Sequence, residues 1–291
     1  MPQSDNIFDS VAEYWTRHNV TLHKRFSSRQ ESVEYFHWRC DQYPGYIDLM
    51  PVKGLDGIDI LDYGCGPGDD IVGFLEYSKP RRLVGADVSS ASLGEAQARA
   101  QLHGGAAEFV QLNPTSTRLP FPDQSFDYIH SCGVVHHVPD LVAILKEFRR
   151  ILRPWGRSRI MVYNYDSIWM HLYVAYRLRY KEAAIPANLP IRQAFTRSTD
   201  GPECPIANCY RPDEFIEQAG LAGFQTKFLG AACSLFEMQN VQALRLEACT
   251  DQRLEREHRE FLVSLTFNEY GRPVFSGEVA GIDGVFDLIP R

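Results

Sequence analysis

Short apolar runs alternate with amphipathic helical patterns between about residues 58 and 163. This alternation is typical of a parallel sheet built from strand–helix–strand units. Residues that suit helix starts follow three of the runs, so we predict helices that begin near Asp69, near Ser89 or Ser90, and near Asp140. The predicted strands are 58–63, 83–88, 107–112, 126–131 and 159–163.

The pattern changes after the fifth predicted strand. Residues 166–184 predict an amphipathic helix rich in aromatic side chains, and 212–219 predict a helix with a proline in its first turn. Two further strands are predicted at 226–229 and 233–238. A charged helix over about 244–265 and a tail punctuated by glycines complete the pattern.

Composition narrows the class of protein. Of the 291 residues, 44% are hydrophobic and 23% are charged, which is typical of a soluble globular protein and excludes a disordered or coiled-coil chain. Acidic residues outnumber basic ones by 37 to 30, and the charge of −7 disfavours a nucleic-acid partner. No apolar run is long enough to cross a membrane, and the first ten residues lack a secretory-signal pattern. We therefore expect no nucleic-acid partner and no membrane partner.

The seven cysteines are scattered along the chain. An odd, dispersed set predicts reduced thiols in a cytoplasmic protein. Cys204 and Cys209 form the only close pair in the sequence, and no second pair or flanking histidines accompany them. We therefore expect no metal site.

A glycine-rich turn after the first predicted strand indicates a ligand site. Gly64, Gly66 and Gly68 leave room for a ligand close to the backbone, because glycine has no Cβ. Asp69 stands where a dinucleotide-binding turn has its third glycine, so that template fails. Asp62 precedes the turn, and a carboxylate about 20 residues further on, Asp87, can accept both hydroxyls of a ribose. These features favour an adenosine ligand that carries a positive charge and no phosphate, which describes S-adenosylmethionine.

Four stretches extend this pattern: LDYGCGPGDD, VGADVS, LPFPDQSFDYIHSCGVVHHVPD and LKEFRRILRPWGR. In their order and spacing the chain resembles the class I S-adenosylmethionine-dependent methyltransferases, particularly the small-molecule group related to ubiquinone and menaquinone biosynthesis. The resemblance covers about residues 58–163 and, more loosely, 210–237. It implies an α/β, Rossmann-like fold with a mostly parallel seven-stranded sheet flanked by helices. It also implies S-adenosylmethionine as the cofactor and a small organic molecule as the methyl acceptor.

The resemblance assigns cofactor contacts along the ends of the predicted strands. The family has an acid that meets the adenine amino group after the third strand, but this chain has a longer loop there. Asn113 is the predicted substitute, because its amide oxygen can accept a hydrogen bond, and Thr115 is the alternative. The full set of implied cofactor-binding residues is Asp62, Gly64 and Gly66 for the methionine portion and ribose, Asp87 for the ribose hydroxyls, Val88 and Asn113 for adenine, and Ser131 and Cys132 for the amino group.

Two histidines follow the fourth predicted strand, where the resemblance places the cofactor sulfonium. His136 and His137 are candidate catalytic residues, because a histidine pKa near neutrality suits proton removal from an acceptor. The alternative is that they form hydrogen bonds around the cofactor and take no proton.

The remaining segments predict coverings for the site. Residues 1–50, rich in aromatics, are expected to form an N-terminal helical lid, and 51–240 the methyltransferase core, with a helical cap inserted after strand 5 at about 164–208. Residues 241–291 are expected to form a C-terminal helical extension and tail. For the cap helix, a homodimer contact and ordinary core packing are the alternatives. The candidate substrate-binding residues are Tyr14 and Trp38 in the lid, and Trp169, His171 and Tyr173 in the cap. A charged loop with Arg197, Asp200, Glu203 and Arg211 is either solvated or directed at the acceptor.

The predicted function is methyl transfer from S-adenosylmethionine to an O, N or C nucleophile of a small organic acceptor, by in-line displacement. Two alternatives remain at the level of the sequence. One is a methyltransferase that acts on RNA or protein, which the negative charge and the residues His130–Gly133 after the fourth strand disfavour. The other is a non-catalytic module that binds S-adenosylmethionine or S-adenosylhomocysteine.

Overall fold

A computed structural model of the chain describes residues 5–18 and 24–291. Seven strands form one sheet in the order β3-β2-β1-β4-β5-β10-β6, and three short strands form a second sheet in the order β7-β8-β9. The strands are β1 (Asp59–Tyr63), β2 (Arg82–Asp87), β3 (Glu108–Gln111), β4 (Phe126–Cys132), β5 (Leu152–Tyr163), β6 (Phe224–Ala232), β7 (Thr266–Phe267), β8 (Pro273–Phe275), β9 (Glu278–Val279) and β10 (Asp283–Pro290).

Helices flank the main sheet. A short 3₁₀ turn, Val135–His137, follows β4, and a π-helix, Trp169–Lys181, follows β5. The α-helices are α1 (Asp5–Arg17), α2 (Arg29–Asp41), α3 (Tyr46–Leu49), α4 (Asp69–Tyr77), α5 (Ser90–Leu102), α6 (Leu141–Ile151), α7 (Ile191–Thr196), α8 (Pro212–Leu221), α9 (Leu235–Thr250) and α10 (Arg256–Ser264). Among these described helices, none is long and apolar enough to cross a membrane.

The sheet is parallel except for β10, which runs antiparallel to both β5 and β6. Successive residues of the central strands face opposite sides, so each side has its own core. Leu61 and Ile129 belong to the cluster on one side, while Ile60 and Tyr128 belong to the cluster on the other. The predicted α/β fold with a mostly parallel, seven-stranded sheet is therefore confirmed.

Local sequence signals explain several helix starts. Ser89 caps α5 by accepting a hydrogen bond from the Ser92 backbone N–H, and Asp140 caps α6 in the same way from Ala143. Both residues lie where the sequence predicts a helix start. Such caps satisfy backbone donors that the first helical turn leaves unpaired.

The prediction of a strand at Cys233–Met238 is wrong. Ser234 and Glu237 form a capping box, in which each side chain bonds the other residue's backbone N–H, and α9 begins there instead. The seventh strand of the sheet comes from the tail, since β10 lies between β5 and β6. The main sheet therefore continues beyond the predicted core boundary at residue 240.

A second apolar cluster joins the π-helix to α9 and α10. Ile168, Tyr176, Leu244 and Phe261 are among its buried members. The predicted cap is thus packed against the C-terminal helices. Residues 1–4 and 19–23 of the predicted lid lie outside the described residues.

Candidate active site

A cavity of about 400 Å³ lies at the carboxyl ends of the central strands. The turn after β1 and the ends of β2 and β4 line one side of it, while residues of α1 and α2 line another. The chain adds β2 and β3 on one side of β1, and β4 and β5 on the other side. The strand order therefore reverses at β1. Ligands of open α/β sheets bind at such a switch point, outside the carboxyl ends of the strands.

The turn between β1 and α4 requires glycine. Gly64 has a φ of +75°, and a Cβ there would lie 2.3 Å from the Val134 side chain. Its N–H donates to the Ala86 carbonyl oxygen at 2.7 Å, which joins the turn to β2. Gly66 lines the cavity, and a Cβ on it would project into open space. The backbone of the turn is therefore accessible to a ligand.

Asp87 brings a buried carboxylate to the cavity from the end of β2. One oxygen accepts a hydrogen bond from the Gly66 N–H at 2.9 Å, and the other accepts from the Ser89 N–H at 2.8 Å. Burial raises the pKa of Asp87, while these backbone donors oppose the rise. A carboxylate has about four acceptor positions, so the fixed Asp87 side chain can still accept hydrogen bonds from a sugar diol.

Asp62 and Ser131 are buried beside the site and do not line the cavity. Asp62 Oδ2 has no hydrogen-bond partner among the described residues, and neither does the Ser131 hydroxyl. Burial, and then the negative charge of Asp70, raise the pKa of Asp62 well above its usual value. An unpaired buried acceptor of this kind fits a ligand that brings its own amino donor.

The sequence analysis missed Arg39, which reaches the cavity from α2. Its Nη1 lies 3.4 Å from Asp70 Oδ1, and its Nη2 lies 3.6 Å from Cys132 Sγ. Burial would lower the pKa of Arg39, but the negative groups around it, of which Asp70 contributes most, together raise the pKa above its usual value. The Cys132 thiol also lines the cavity, 2.5 Å from the Tyr46 hydroxyl. No local motif marks Arg39, because its partners lie far away in the chain.

His136 is buried behind the cavity wall and does not line it. Its ring stacks on Tyr163 with the ring centres 3.8 Å apart, and its Nδ1 accepts a hydrogen bond from the Tyr163 backbone N–H at 3.3 Å. Burial lowers the pKa of His136 well below its usual value. The ring is therefore neutral and is held in place by β5.

His137 does line the cavity. Its Nδ1 lies 2.5 Å from the Ile206 carbonyl oxygen, which can only accept, so Nδ1 carries the proton and Nε2 keeps a lone pair. Nε2 lies 3.6 Å from Asp200 Oδ2. Burial lowers the pKa of His137, while the charge of Asp200 opposes this change. The neutral ring can accept a proton through Nε2.

Asp200 and several aromatic residues form the end of the cavity next to His137. The Tyr163 hydroxyl donates to both oxygens of the Asp200 carboxylate, at 3.0 and 3.1 Å. Trp15 packs edge-on against His137, with the ring centres 4.8 Å apart. Tyr14 does not line the cavity, and its hydroxyl donates to the Asp200 carbonyl oxygen instead. Trp15, its neighbour in α1, is the residue that faces the cavity.

Of the residues predicted to contact adenine, Val88 lines the main cavity and Asn113 does not. Asn113 lines a smaller cavity of about 70 Å³, which shares Val88 and Leu112 with the main one. The Asn113 amide oxygen accepts hydrogen bonds from the Thr115 N–H at 3.0 Å and from the Thr115 hydroxyl at 2.9 Å. This oxygen is therefore already used within the loop.

Trp169 lines the cavity, but three other predicted substrate residues do not. Trp38 is 55% exposed on α2. His171 stacks on Phe261 at 3.9 Å between ring centres, within the C-terminal helical cluster. Tyr173 packs edge-on against Trp169 and Phe236, at 4.8 and 4.9 Å between ring centres. Side chains on different faces of a helix meet different neighbours. The aromatic residues of the π-helix are therefore divided between the cavity and the core.

Two clusters among the described residues place possible metal ligands within 4.8 Å of one another: His137, Asp200 and Cys204, and Asp62, Asp70 and His130. In the first, Asp200 accepts from the Tyr163 hydroxyl and the Cys204 thiol donates to the Ile206 carbonyl. In the second, Asp70 is paired with Arg39 and His130. Asp200, Cys204 and Asp70 are thus already engaged by protein groups, and we assign no metal to either cluster.

Comparison with known proteins gives consistent matches. A family described as "Methyltransferase domain" matches residues 60–156. A demethylmenaquinone methyltransferase of Listeria monocytogenes is 32% identical over 176 residues, which cover 58% of this chain and 67% of that protein. An uncharacterized methyltransferase of Schizosaccharomyces pombe is 34% identical over 125 residues, covering 41% and 44%. The solved structure of a DhpI–SAH complex is 16% identical and covers 99% of this chain and 98% of that one, with a TM-score of 0.53, which shows a shared fold.

The alignments are partial. The matched parts span 44%, 41% and 47% of three of the curated relatives, so the chain matches less than half of the length of these proteins. The family match at residues 60–156 includes the glycine turn and Asp87.

Proposed function

We propose that this chain, which belongs to the class I S-adenosylmethionine-dependent methyltransferases, transfers a methyl group from S-adenosylmethionine to a small organic acceptor. The observation that carries the proposal is the pairing of an open glycine turn with the buried Asp87 carboxylate on the wall of one cavity. S-Adenosylmethionine supplies a methyl group that a sulfonium makes electrophilic. The chain then has to bind, align and shield the two reactants.

The residues at the carboxyl ends of β1, β2 and β4 fit this cofactor. Asp87 would hold the ribose hydroxyls, and Val88 would pack against adenine. Asp62, whose Oδ2 has no donor within the described part of the chain, would accept from the amino group of the ligand, and Arg39 would face its carboxylate. Gly66 has no side chain and so leaves space for the methionine portion of the ligand.

The lining of the cavity supports a small acceptor. Arg39 is the one Lys or Arg residue among the described residues that line it, whereas five aspartates do. A groove for RNA needs several cations to meet phosphates, and this lining lacks them. Residues of α1 also cover the cavity, which favours an acceptor that fits inside it.

Calorimetry with the full-length chain tests the cofactor assignment. We expect S-adenosylmethionine and S-adenosylhomocysteine to bind, and NAD to bind at least about tenfold more weakly, because the turn offers no helix-opening third glycine for a pyrophosphate. Release of S-adenosylhomocysteine is then measured with a panel of phenols, amines and carbon acids. Tighter binding of NAD, or no binding of either adenosyl ligand, would contradict the proposal.

We expect His137→Ala to lower turnover by about 100-fold or more, since a positioned base typically contributes that much. His137 lines the cavity and keeps its lone pair on Nε2, because Nδ1 donates to the Ile206 carbonyl oxygen, and we propose Nε2 as the proton acceptor. The measurement is kcat with an acceptor from the panel, beside the Kd for S-adenosylhomocysteine, which should stay within about twofold. His37→Ala is the control, because His37 bonds Tyr77 on the surface. A kcat equal to that of the wild type in His137→Ala would contradict the proposal that His137 acts as the base.

A further inference from the structure

Asp283, the first residue of β10, places a buried carboxyl group on the cavity wall. It is only 5% exposed, and none of the described residues donates a hydrogen bond to it. Burial, and then the negative charge of Glu237, raise its pKa well above the usual value, while Arg39 acts in the opposite direction. A buried carboxyl group without a donor costs free energy of folding unless a ligand supplies the donor.

Aromatic rings surround this carboxyl group. Asp283 lies opposite Tyr163 in the pairing of β10 with β5, so both side chains leave the same face of the sheet. Tyr43, Tyr163 and Trp169 pack with Ile282 in one apolar cluster, and all three line the cavity. After burial, Asp283 is the largest contribution to the raised pKa of Tyr43, which places the two groups close together. Aromatic faces beside a carboxylate are a setting that attracts cations.

Arg39 is the one Lys or Arg residue among the described residues that line the cavity, and it is already paired with other acids. The guanidinium of Arg39 is shared between Asp70, at 3.4 Å, and Asp69, at 3.8 Å. Asp200 adds a second carboxylate, held by the Tyr163 hydroxyl. The wall that faces the acceptor is therefore acidic and aromatic, which disfavours an anionic acceptor.

We propose that the methyl acceptor carries a basic nitrogen and binds as an ammonium ion, with Asp283 as its counter-ion and with Tyr43, Tyr163 and Trp169 around it. The inference rests on the proposed methyl transfer and names the acceptor class for that cavity. The ammonium group provides the donors that Asp283 lacks, and its charge favours the ionised carboxylate.

An ammonium nitrogen has no free electron pair, so one proton must leave before transfer. The N–H bond breaks, the proton passes to Nε2 of His137, and the electron pair stays on nitrogen. That pair forms the new N–C bond while the C–S bond of the methyl donor breaks and leaves its electrons on sulfur. His137 and Asp283 line the same cavity. Tyr163 lies between them, since its ring packs edge-on against His137 and its backbone pairs with Asp283.

Charge selectivity tests the proposal. The full-length chain, saturated with S-adenosylhomocysteine, is titrated with 2-phenylethylamine, 2-phenylethanol and 3-phenylpropionate in a calorimeter. These probes share one ring and differ in the charge of the end group. We expect the amine to bind at least about tenfold tighter than the other two. Asp283→Asn should reduce this preference to below about threefold, with an unchanged affinity for S-adenosylhomocysteine.

Asp123→Asn, at an exposed acid in the loop before β4, is the matched control and should keep the wild-type preference. Asp283→Ala is the second variant, and circular dichroism checks the fold of both. Equal binding of the probes, no binding of the amine, or an unchanged preference in both variants would overturn the proposal. So would a loss of affinity for S-adenosylmethionine alone, because the carboxylate would then serve the sulfonium. Failure of the wild-type chain to bind S-adenosylhomocysteine would instead contradict the proposed function.

Discussion

Asp87→Ala should weaken the binding of S-adenosylhomocysteine by at least about tenfold, and by about 100-fold if both ribose hydroxyls are held, since a hydrogen bond to a charged group contributes about 1.5–3 kcal/mol. The carboxylate is fixed by the Gly66 and Ser89 N–H groups before any ligand arrives, so little is lost in ordering it. Calorimetric Kd values for the wild type, Asp87→Ala and Asp87→Asn measure the effect. Asp87→Asn should fall between the other two, because the amide keeps one acceptor.

A shortened ligand shows whether Asp87 acts on the sugar. Methylthioadenosine keeps the ribose and adenine but lacks the amino-acid end. Asp87→Ala should weaken its binding as much as it weakens that of S-adenosylhomocysteine, whereas Arg39→Met should affect only the longer ligand. Asp123→Ala serves as the surface control. An unchanged Kd for both ligands in Asp87→Ala would refute the ribose assignment.

The cofactor half of the site could be predicted because its signals are local. The turn from Gly64 to Gly68 and the carboxylate at Asp87 each follow a buried strand, and strand–turn–helix units place such residues at one edge of the sheet. The cap at Ser89 and the start of α6 at Asp140 follow from side chains within a few residues. Residues close together in the chain determine these turns and helix starts, so they can be predicted from one sequence.

The acceptor half could not be predicted in the same way. Asp200 and Asp283 come from a loop after α7 and from β10, and only the tertiary fold brings them to one cavity with Arg39 of α2, which we propose for the cofactor carboxylate. The DGVFDLIP segment of β10 has a glycine and two aspartates, which weaken its strand pattern, and it is stabilised by pairing with β5 and β6 on both sides. The alternating residues at 233–238 predict a strand, but the capping box at the start of α9 makes this segment helical.

A buried ion pair helps to hold the N-terminal helix α2 against α4 and α5. Arg99 of α5 is 2% exposed and forms a salt bridge with Asp69, at the start of α4. The same guanidinium donates to the Ser32 hydroxyl at 2.8 Å and to the Ser32 carbonyl at 3.1 Å, and Ser32 lies in α2. The Phe26 ring covers its face, with 4.3 Å between the guanidinium carbon and the ring centre. One side chain therefore connects three helices, and α2 carries Arg39 into the cavity.

Arg99→Met should lower the free energy of unfolding by about 3–5 kcal/mol, because it leaves the Asp69 carboxylate buried without its main partner. Methionine keeps much of the packing volume, so most of the loss is electrostatic. Urea unfolding followed by circular dichroism measures it, and the Kd for S-adenosylhomocysteine should rise at the same time, since α2 loses its anchor. Arg256→Met, which breaks an exposed pair with Glu260, is the matched control and should leave the midpoint unchanged. If the two variants unfold at the same urea concentration, the ion pair between Arg99 and Asp69 does not hold α2 in place.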